Sequence, residues 1–498
     1  MEAQLQPPAT PPKVPQEGDN GGYKKVLKSR QIQMMALGSA IGSGLFMGTG
    51  GRLASVGPSL FIAFVVCGIF SFFVVRALGE LIAHRPTSGS YISYAREFLG
   101  ERAAFTAGWL YFLMWATAAI ADITAVALYA HFWSAFTSVP QWALALIALT
   151  VVLLLNLLSV KIFGELEYWF ALIKVATLSV FLIVGAVVLA AAWPLRTEGG
   201  TVTPGIHLWA DNGGLFPSGV LATVLVIQGV IFAFSGTELI GTAAGEAKDP
   251  AKTMPKAIRS VIYRIALFYI GSVLLLTLLL PFTAYKAGQS PFVTFFASLG
   301  DGQFGMIAGS AMNFVVLTAA LSSLNAGLYS TGRILRNMSL AGTAPKFTAK
   351  MNSAGVPYGG ILLTSAFAIL GVILNLVVPS QAFEIMLNLA AIGVVSAWGT
   401  ILLCQIQLQR WSKRGLAKRP AFRLPGAPFT AYISLAFYLA VFVLMAFDFP
   451  TGTLTVGTFV ILGIPLLIFG WYACRARVQE IAAKASTAGN RSGVDRDA

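Results

Sequence analysis

Charged side chains are scarce in this chain. They make up 11% of its 498 residues, where a soluble globular protein carries about 25%. A water-soluble fold of this composition would expose large contiguous apolar patches, so that class is excluded. Cysteine is scarcer still: Cys67, Cys404 and Cys474 sit far apart, in or at the ends of apolar stretches. No CxxC spacing exists, which removes a zinc or dithiol motif. His84, His131 and His207 are too scattered for a metal cluster or a catalytic triad. No metal and no cofactor is expected, and no enzyme chemistry. The polar, Pro-rich N-terminus lacks an apolar core and a small-residue cleavage site, so no signal peptide is expected.

What the chain has instead is apolar length. Hydrophobic residues make up 56%, with a mean hydropathy of +0.75. A bilayer-crossing helix needs about 20 consecutive apolar residues. Twelve stretches qualify, near 32–57, 59–82, 105–135, 141–160, 166–193, 218–243, 261–281, 305–335, 358–378, 383–407, 429–448 and 454–474. The expected fold is an all-α integral membrane protein of twelve transmembrane helices. Residues 1–22 read as a disordered N-terminal tail, 23–475 as one transmembrane domain, and 476–498 as a poorly ordered C-terminal tail.

The formal charge of +14 would suggest nucleic acid in a soluble protein. Its placement argues otherwise. With the N-terminus inside, only Arg52, Arg196 and Lys286 fall outside, and Arg76 and Lys174 fall within spans. The other lysines and arginines face the cytoplasm, most densely at Lys248–Arg264 and Arg410–Arg423. This is the positive-inside bias. It predicts both termini in the cytoplasm and removes the case for a nucleic-acid partner.

Polar residues inside spans are costly, roughly 2.5–3.5 kcal/mol for a charge at mid-membrane, so each one needs a reason. Arg76 and Glu80 are four apart on one helix face and are expected to pair. Glu165 and Glu167 read as interfacial. Asp122 could cross-link helices or serve function, and both readings stay open. Lys174 lies deep in the apolar run Trp169-Phe170-Ala171-Leu172-Ile173-Lys174-Val175, with no acid three or four positions away. Apolar surroundings disfavour a charged ammonium, which makes Lys174 a candidate for reversible protonation.

Glycines mark weak points in two spans. Gly38 and Gly42 fit small-residue helix packing, but Gly42-Ser43-Gly44 puts two glycines around a serine and lowers helix stability further. The sixth span carries Phe234-Ser235-Gly236-Thr237-Glu238 at its middle. Backbone unwound in a membrane is tolerated only where it lines a cavity. Breaks at positions one and six suggest two five-helix inverted repeats with a substrate between them. Open helix N-termini favour an anion and free carbonyls a cation, a pairing suited to a zwitterion such as an amino acid.

These residues also carry a resemblance. The run Gly38-Ser39-Ala40-Ile41-Gly42-Ser43-Gly44-Leu45-Phe46 resembles the first-helix motif of the amino acid–polyamine–organocation permeases. So do Ala77-Leu78-Gly79-Glu80-Leu81, Arg85-Pro86-Thr87-Ser88-Gly89-Ser90, and Gly241–Glu246 with Lys248-Asp249-Pro250. Asp122-Ile123-Thr124-Ala125, Gln289–Phe296 and Leu321–Tyr329 are similar to a bacterial amino acid transporter branch of that family. The resemblance implies uptake of a neutral amino acid with a proton across the bacterial cytoplasmic membrane. Asparagine is the expected substrate, with D-serine, D-alanine or glycine as alternatives. It also implies two helices added after the repeats. Ser39, Ala40, Ile41, Gly42, Ser43 and Gly44 would hold the substrate carboxylate. Carbonyls near Phe232, Phe234 and Ser235 would take the ammonium, and Phe234 or a neighbour would close the site. Lys174, Ser322 and Ser323 would couple the proton. Glu238 would tie helices or relay a proton, and Asp122 would sit near the substrate side chain. A non-transporting sensor could retain the same site. The oligomeric state is left open, with a monomer sufficient.

Overall fold

Apolar helices that cannot face water must face either lipid or one another, and the architecture sorts them between these two fates. The computed structural model describes residues 31, 34, 41–87, 89–239, 241, 258–261, 263–300, 303–379 and 382–494. Among them the chain is almost entirely helical. The helices used below are α1 Ser43–Phe46, α2 Gly48–Val56, α3 Leu60–His84, α4 Ser90–Leu99, α5 Glu101–Ala130, α6 Gln141–Leu158 and α7 Val160–Ala190. There follow α8 Gly219–Leu225, α9 Ile227–Ala233, α10 Ser272–Leu279, α11 Pro291–Ala297, α12 Gln303–Leu340, α13 Tyr358–Val377, α14 Ala382–Lys413, α15 Phe429–Phe447, α16 Thr451–Thr458 and α17 Ile464–Val494. A two-stranded antiparallel hairpin, β1 Leu195–Thr197 and β2 Gly200–Val202, pairs Leu195 with Val202 and leads into α8.

Ten helical stretches among the described residues are long and apolar enough to cross a membrane, against the twelve stretches of the sequence. The difference lies at the expected first, second and sixth spans. The first is described continuously only from Ile41. It joins the second in one stretch, Ser43–His84, through a 3-10 turn at Gly57–Ser59. The sixth is cut short: Gly219–Ala233 is apolar but too short to qualify. The segment expected to be a poorly ordered C-terminal tail is instead helical as far as Val494.

Burial separates centre from rim. The apolar window of Glu101–Ala130 is 89% buried, that of Thr451–Ile481 only 17%. So α5 is the central post, packed along α12 and α14. Meanwhile α17 exposes Leu466 and Phe469, as an outermost membrane helix does. Close packing at the post requires small residues: a side chain at Gly393 of α14 would strike Met114 of α5.

One pairing differs from expectation. Glu80 bonds Arg419 at 2.5 Å, Gln405 at 3.1 Å and the Leu424 amide at 2.7 Å. Arg76 lies over the Phe422 ring, 3.7 Å from its centroid, and donates to the Arg423 carbonyl. The acid at Glu80 therefore anchors the basic loop after α14 rather than closing a pair within its own helix.

Candidate functional site

The first-helix weak point is a real interruption. Gly42 is extended, at φ −129 and ψ −162, and caps α1. The amides of Leu45 and Phe46 donate to the Gly42 carbonyl at 3.2 and 3.3 Å. The amides of Ser43 and Gly44 precede these bonds, at the open end of the helix. Ser43 Oγ donates to Asp122 Oδ1 on α5 at 2.6 Å. Gly44 is needed for contact: a Cβ there would come within 2.8 Å of the Phe232 ring and 3.0 Å of the Ala233 Cα. The two weak points of the sequence thus meet in space. Ser39 and Ala40, expected in the same seat, lie outside the described residues, as do Gly38 and the loop 242–257.

The sixth span breaks where expected. α9 ends at Ala233, and residues 234–238 form turns. Phe234 and Ser235 amides donate only three residues back, to Ile231 and Phe232. Gly236 has φ +85, a left-handed conformation that glycine adopts without strain. Glu238, 1% exposed, closes the turn: one oxygen accepts from the Gly236 amide at 3.2 Å, the other from the Trp398 indole at 3.3 Å. The indole bond connects this turn to α14. The Phe234 ring stacks on Tyr269 at 4.8 Å and tilts against Phe64 at 5.7 Å. Its neighbour Phe232, not Phe234, lines the cavity.

Between the two breaks lies a cavity of about 10 Å³, lined by Gly42, Ser43, Gly44, Phe232, Ala233, Ser235, Trp115 and Ser323. That is room for about one water and too little for an amino acid. Trp115, 4% exposed, has an indole N–H without a hydrogen-bond partner among the described residues. Its aromatic character hid it in the sequence among core residues.

Beside the seat sits a buried polar cluster. Lys174 of α7 is 1% exposed, and its Nζ donates to Ser322 Oγ on α12 at 3.0 Å. Ser322 donates in turn to Glu167 Oε2 at 3.1 Å. Asn325 donates to Glu167 Oε1 at 2.8 Å and accepts from Asn156 at 2.6 Å. Glu167 is 1% exposed, so its reading as interfacial is corrected; Glu165 bonds Gln31 at 2.9 Å. The missed signal was spacing. Glu167 precedes Lys174 by seven residues, two helical turns, on one face. Ser323, next to Ser322, faces the seat and reaches Asp122. The adjacent serines thus stand between the two clusters. Among the described residues no group of His, Cys, Asp or Glu could hold a metal.

Above the seat, Arg52 of α2 donates to the Gly48 carbonyl and to Glu384 of α14 at 3.5 Å. It lies across Gly229, where any side chain would overlap the guanidinium.

The amino acid permease family model matches residues 31–484. An L-asparagine permease of Salmonella typhimurium is 57% identical over 460 residues, covering 92% of this chain and 91% of that protein. One of Escherichia coli is 56% identical over 460 residues, covering 92% and 90%. One of Streptomyces coelicolor is 54% identical over 465 residues, covering 93% of each.

Proposed function

The chain belongs to the amino acid permease family, and from that membership we propose that it carries L-asparagine into a bacterial cell together with a proton. It is a membrane carrier, not an enzyme. The observation that bears most weight is the meeting of two broken helices across one cavity, with Gly44 at the point of contact. The carboxylate would rest on the open amides after Gly42. The ammonium would face carbonyls around Phe232 and Ser235. Asparagine, rather than another neutral amino acid, rests on the relatives named above.

In this reading residues 23–475 form the carrier, with ends in the cytoplasm. Twelve spans are kept by counting the interrupted first and sixth as crossings. Ten make two inverted five-helix repeats and the last two stand outside them. Charge placement supports the orientation. Lys174, Ser322 and Ser323 would be the coupling residues, linking α7 and α12 to the first-helix break. Alternating access would then open the seat to each side in turn.

The energetics suffice. One charge moving through ~150 mV gains about 3.5 kcal/mol, at about 2.3 kcal/mol per 100 mV. That supports roughly 300-fold accumulation, at about 1.4 kcal/mol per decade. The test is uptake of labelled asparagine into proteoliposomes with imposed gradients. Accumulation should follow pH and voltage without sodium, and unlabelled asparagine should compete better than glycine, D-serine, D-alanine or aspartate. A sodium requirement would refute proton coupling. Better competition by glycine or D-serine would refute asparagine. Specific binding without transport would make the protein a sensor.

A further inference from the structure

Lys174 and Glu167 are opposite charges buried in the membrane interior, each 1% exposed, and both bond the same serine hydroxyl. Lys174 Nζ donates to Ser322 Oγ at 3.0 Å, and Ser322 Oγ donates to Glu167 Oε2 at 3.1 Å. Both bonds run in the same direction, from ammonium to carboxylate. A hydroxyl that accepts on one side and donates on the other is the simplest unit that can hand a proton along. We infer that Glu167 is the second station of the proton path, receiving through Ser322 the proton that Lys174 carries. This rests on the proton-coupled reading above and adds an acceptor to it.

The step balances within the cluster. The ammonium N–H goes to Ser322 Oγ as the serine's own hydrogen goes to Glu167. Ammonium and carboxylate become amine and carboxylic acid, and the serine remains a hydroxyl. Net charge is unchanged, so the transfer itself moves no uncompensated charge through the apolar interior. Release from Glu167 completes the passage.

Geometry also gives the transfer a direction. Seven residues separate Glu167 from Lys174, a displacement of about 10 Å along α7. It runs toward the helix end that the charge bias assigns to the cytoplasm. Asn325, three residues from Ser322 on α12, holds the other carboxylate oxygen at 2.8 Å, and Asn156 holds Asn325. These amides fix the acceptor without competing for the proton. Among the described residues, the other charged groups acting on Lys174 are Asp122 from α5 and Arg264 from the segment before α10. Asp122 Oδ1 accepts from Ser43 and neither of its oxygens bonds the Ser322 hydroxyl, and Arg264 is a cation that cannot receive the proton. Glu167 is thus the carboxylate that the hydroxyl bridge serves.

A purely structural role would also put an acid near a buried lysine, so the test must separate the two. Purified protein is placed in liposomes containing a pH-sensitive dye, and external asparagine is added. Wild type should acidify the interior and accumulate substrate. Glu167→Gln should bind and exchange labelled asparagine more slowly, lose substrate-driven acidification, and show flat uptake across pH. Ser322→Ala keeps both charges but removes the bridge, and should lose acidification in the same way. Wild-type acidification with an unchanged pH profile in both variants overturns the inference alone. So does a Glu167→Gln loss equal at every pH alongside a normal Ser322→Ala, which would make the pair structural. Wild type that exchanges asparagine but never acidifies defeats proton coupling itself, and this inference with it.

Discussion

A single missing carbon sets the geometry of the seat. At Gly44 a Cβ would press on the Phe232 ring at 2.8 Å and on backbone of the sixth span at 3.0 Å. At Gly42 the nearest atom is the Ser323 hydroxyl at 3.2 Å, the end of a side chain that can turn away. The two glycines are equivalent in the sequence and unequal in space. Gly44→Ala should therefore cost about 1–3 kcal/mol of overpacking at the proposed substrate seat, with Gly42→Ala much milder. Asparagine titration of the two purified variants checks this, with thermal unfolding as the control for folding. Equal affinities would refute the close approach. Lys174 with Ser322 was legible, because a lysine in an apolar run needs a partner and the resemblance supplied one. Glu167 was not, since an acid near a helix end is an ordinary interfacial residue until burial is known.

At the scale of elements, the broken helices were the most legible feature, since paired glycines and small polar residues at mid-span weaken a helix where lipid cannot satisfy the freed backbone. The partners of the helices were less so. Local spacing put Arg76 with Glu80, yet the acid is held by Arg419, more than three hundred positions away. Sequence proximity gives a candidate pair, but long-range packing decides which acceptor a guanidinium reaches. The second half of the first span makes the same point. Arg52 is 9% exposed and its acid partner Glu384 is 42% exposed, at 3.5 Å. With the carboxylate solvated and the contact long, the pair contributes about 0–1 kcal/mol. What fixes Arg52 is its bond to the Gly48 carbonyl and its fit over Gly229. Glu384→Gln should accordingly change uptake by less than about fivefold. Gly229→Ala, which forces the guanidinium from its place, should do far more damage. The uptake rates of the two variants at matched membrane content decide. A larger loss in Glu384→Gln would mean the ion pair, not the fit, holds Arg52 in place.

Across the whole molecule, the strongest asymmetry is charge. At one end, Arg410 and Lys413 in the last turn of α14 and Arg414, Lys418, Arg419 and Arg423 in the loop after it crowd together, and Glu80 anchors that loop from within the bundle. At the other, the basic residues are few and acids answer them: Lys286 meets Glu198 of the hairpin at 2.6 Å, and Arg52 meets Glu384. Orientation bias counts lysine and arginine near span ends, so the dense end should be cytoplasmic and the hairpin outside. Thiol labelling reads this directly. Cys67 and Cys404 are buried, which leaves Cys474 as the reactive background; replacing it with serine clears the signal. Thr201→Cys on the exposed hairpin should then react with a membrane-impermeant maleimide on intact cells. Leu416→Cys, 44% exposed in the basic loop, should react only after permeabilisation. The reverse pattern would invert the molecule, turning Glu167 toward the outside and making Lys174, not Glu167, the station nearer the cytoplasm. The labelling thus fixes the sense of the proton path as well as the fold's orientation.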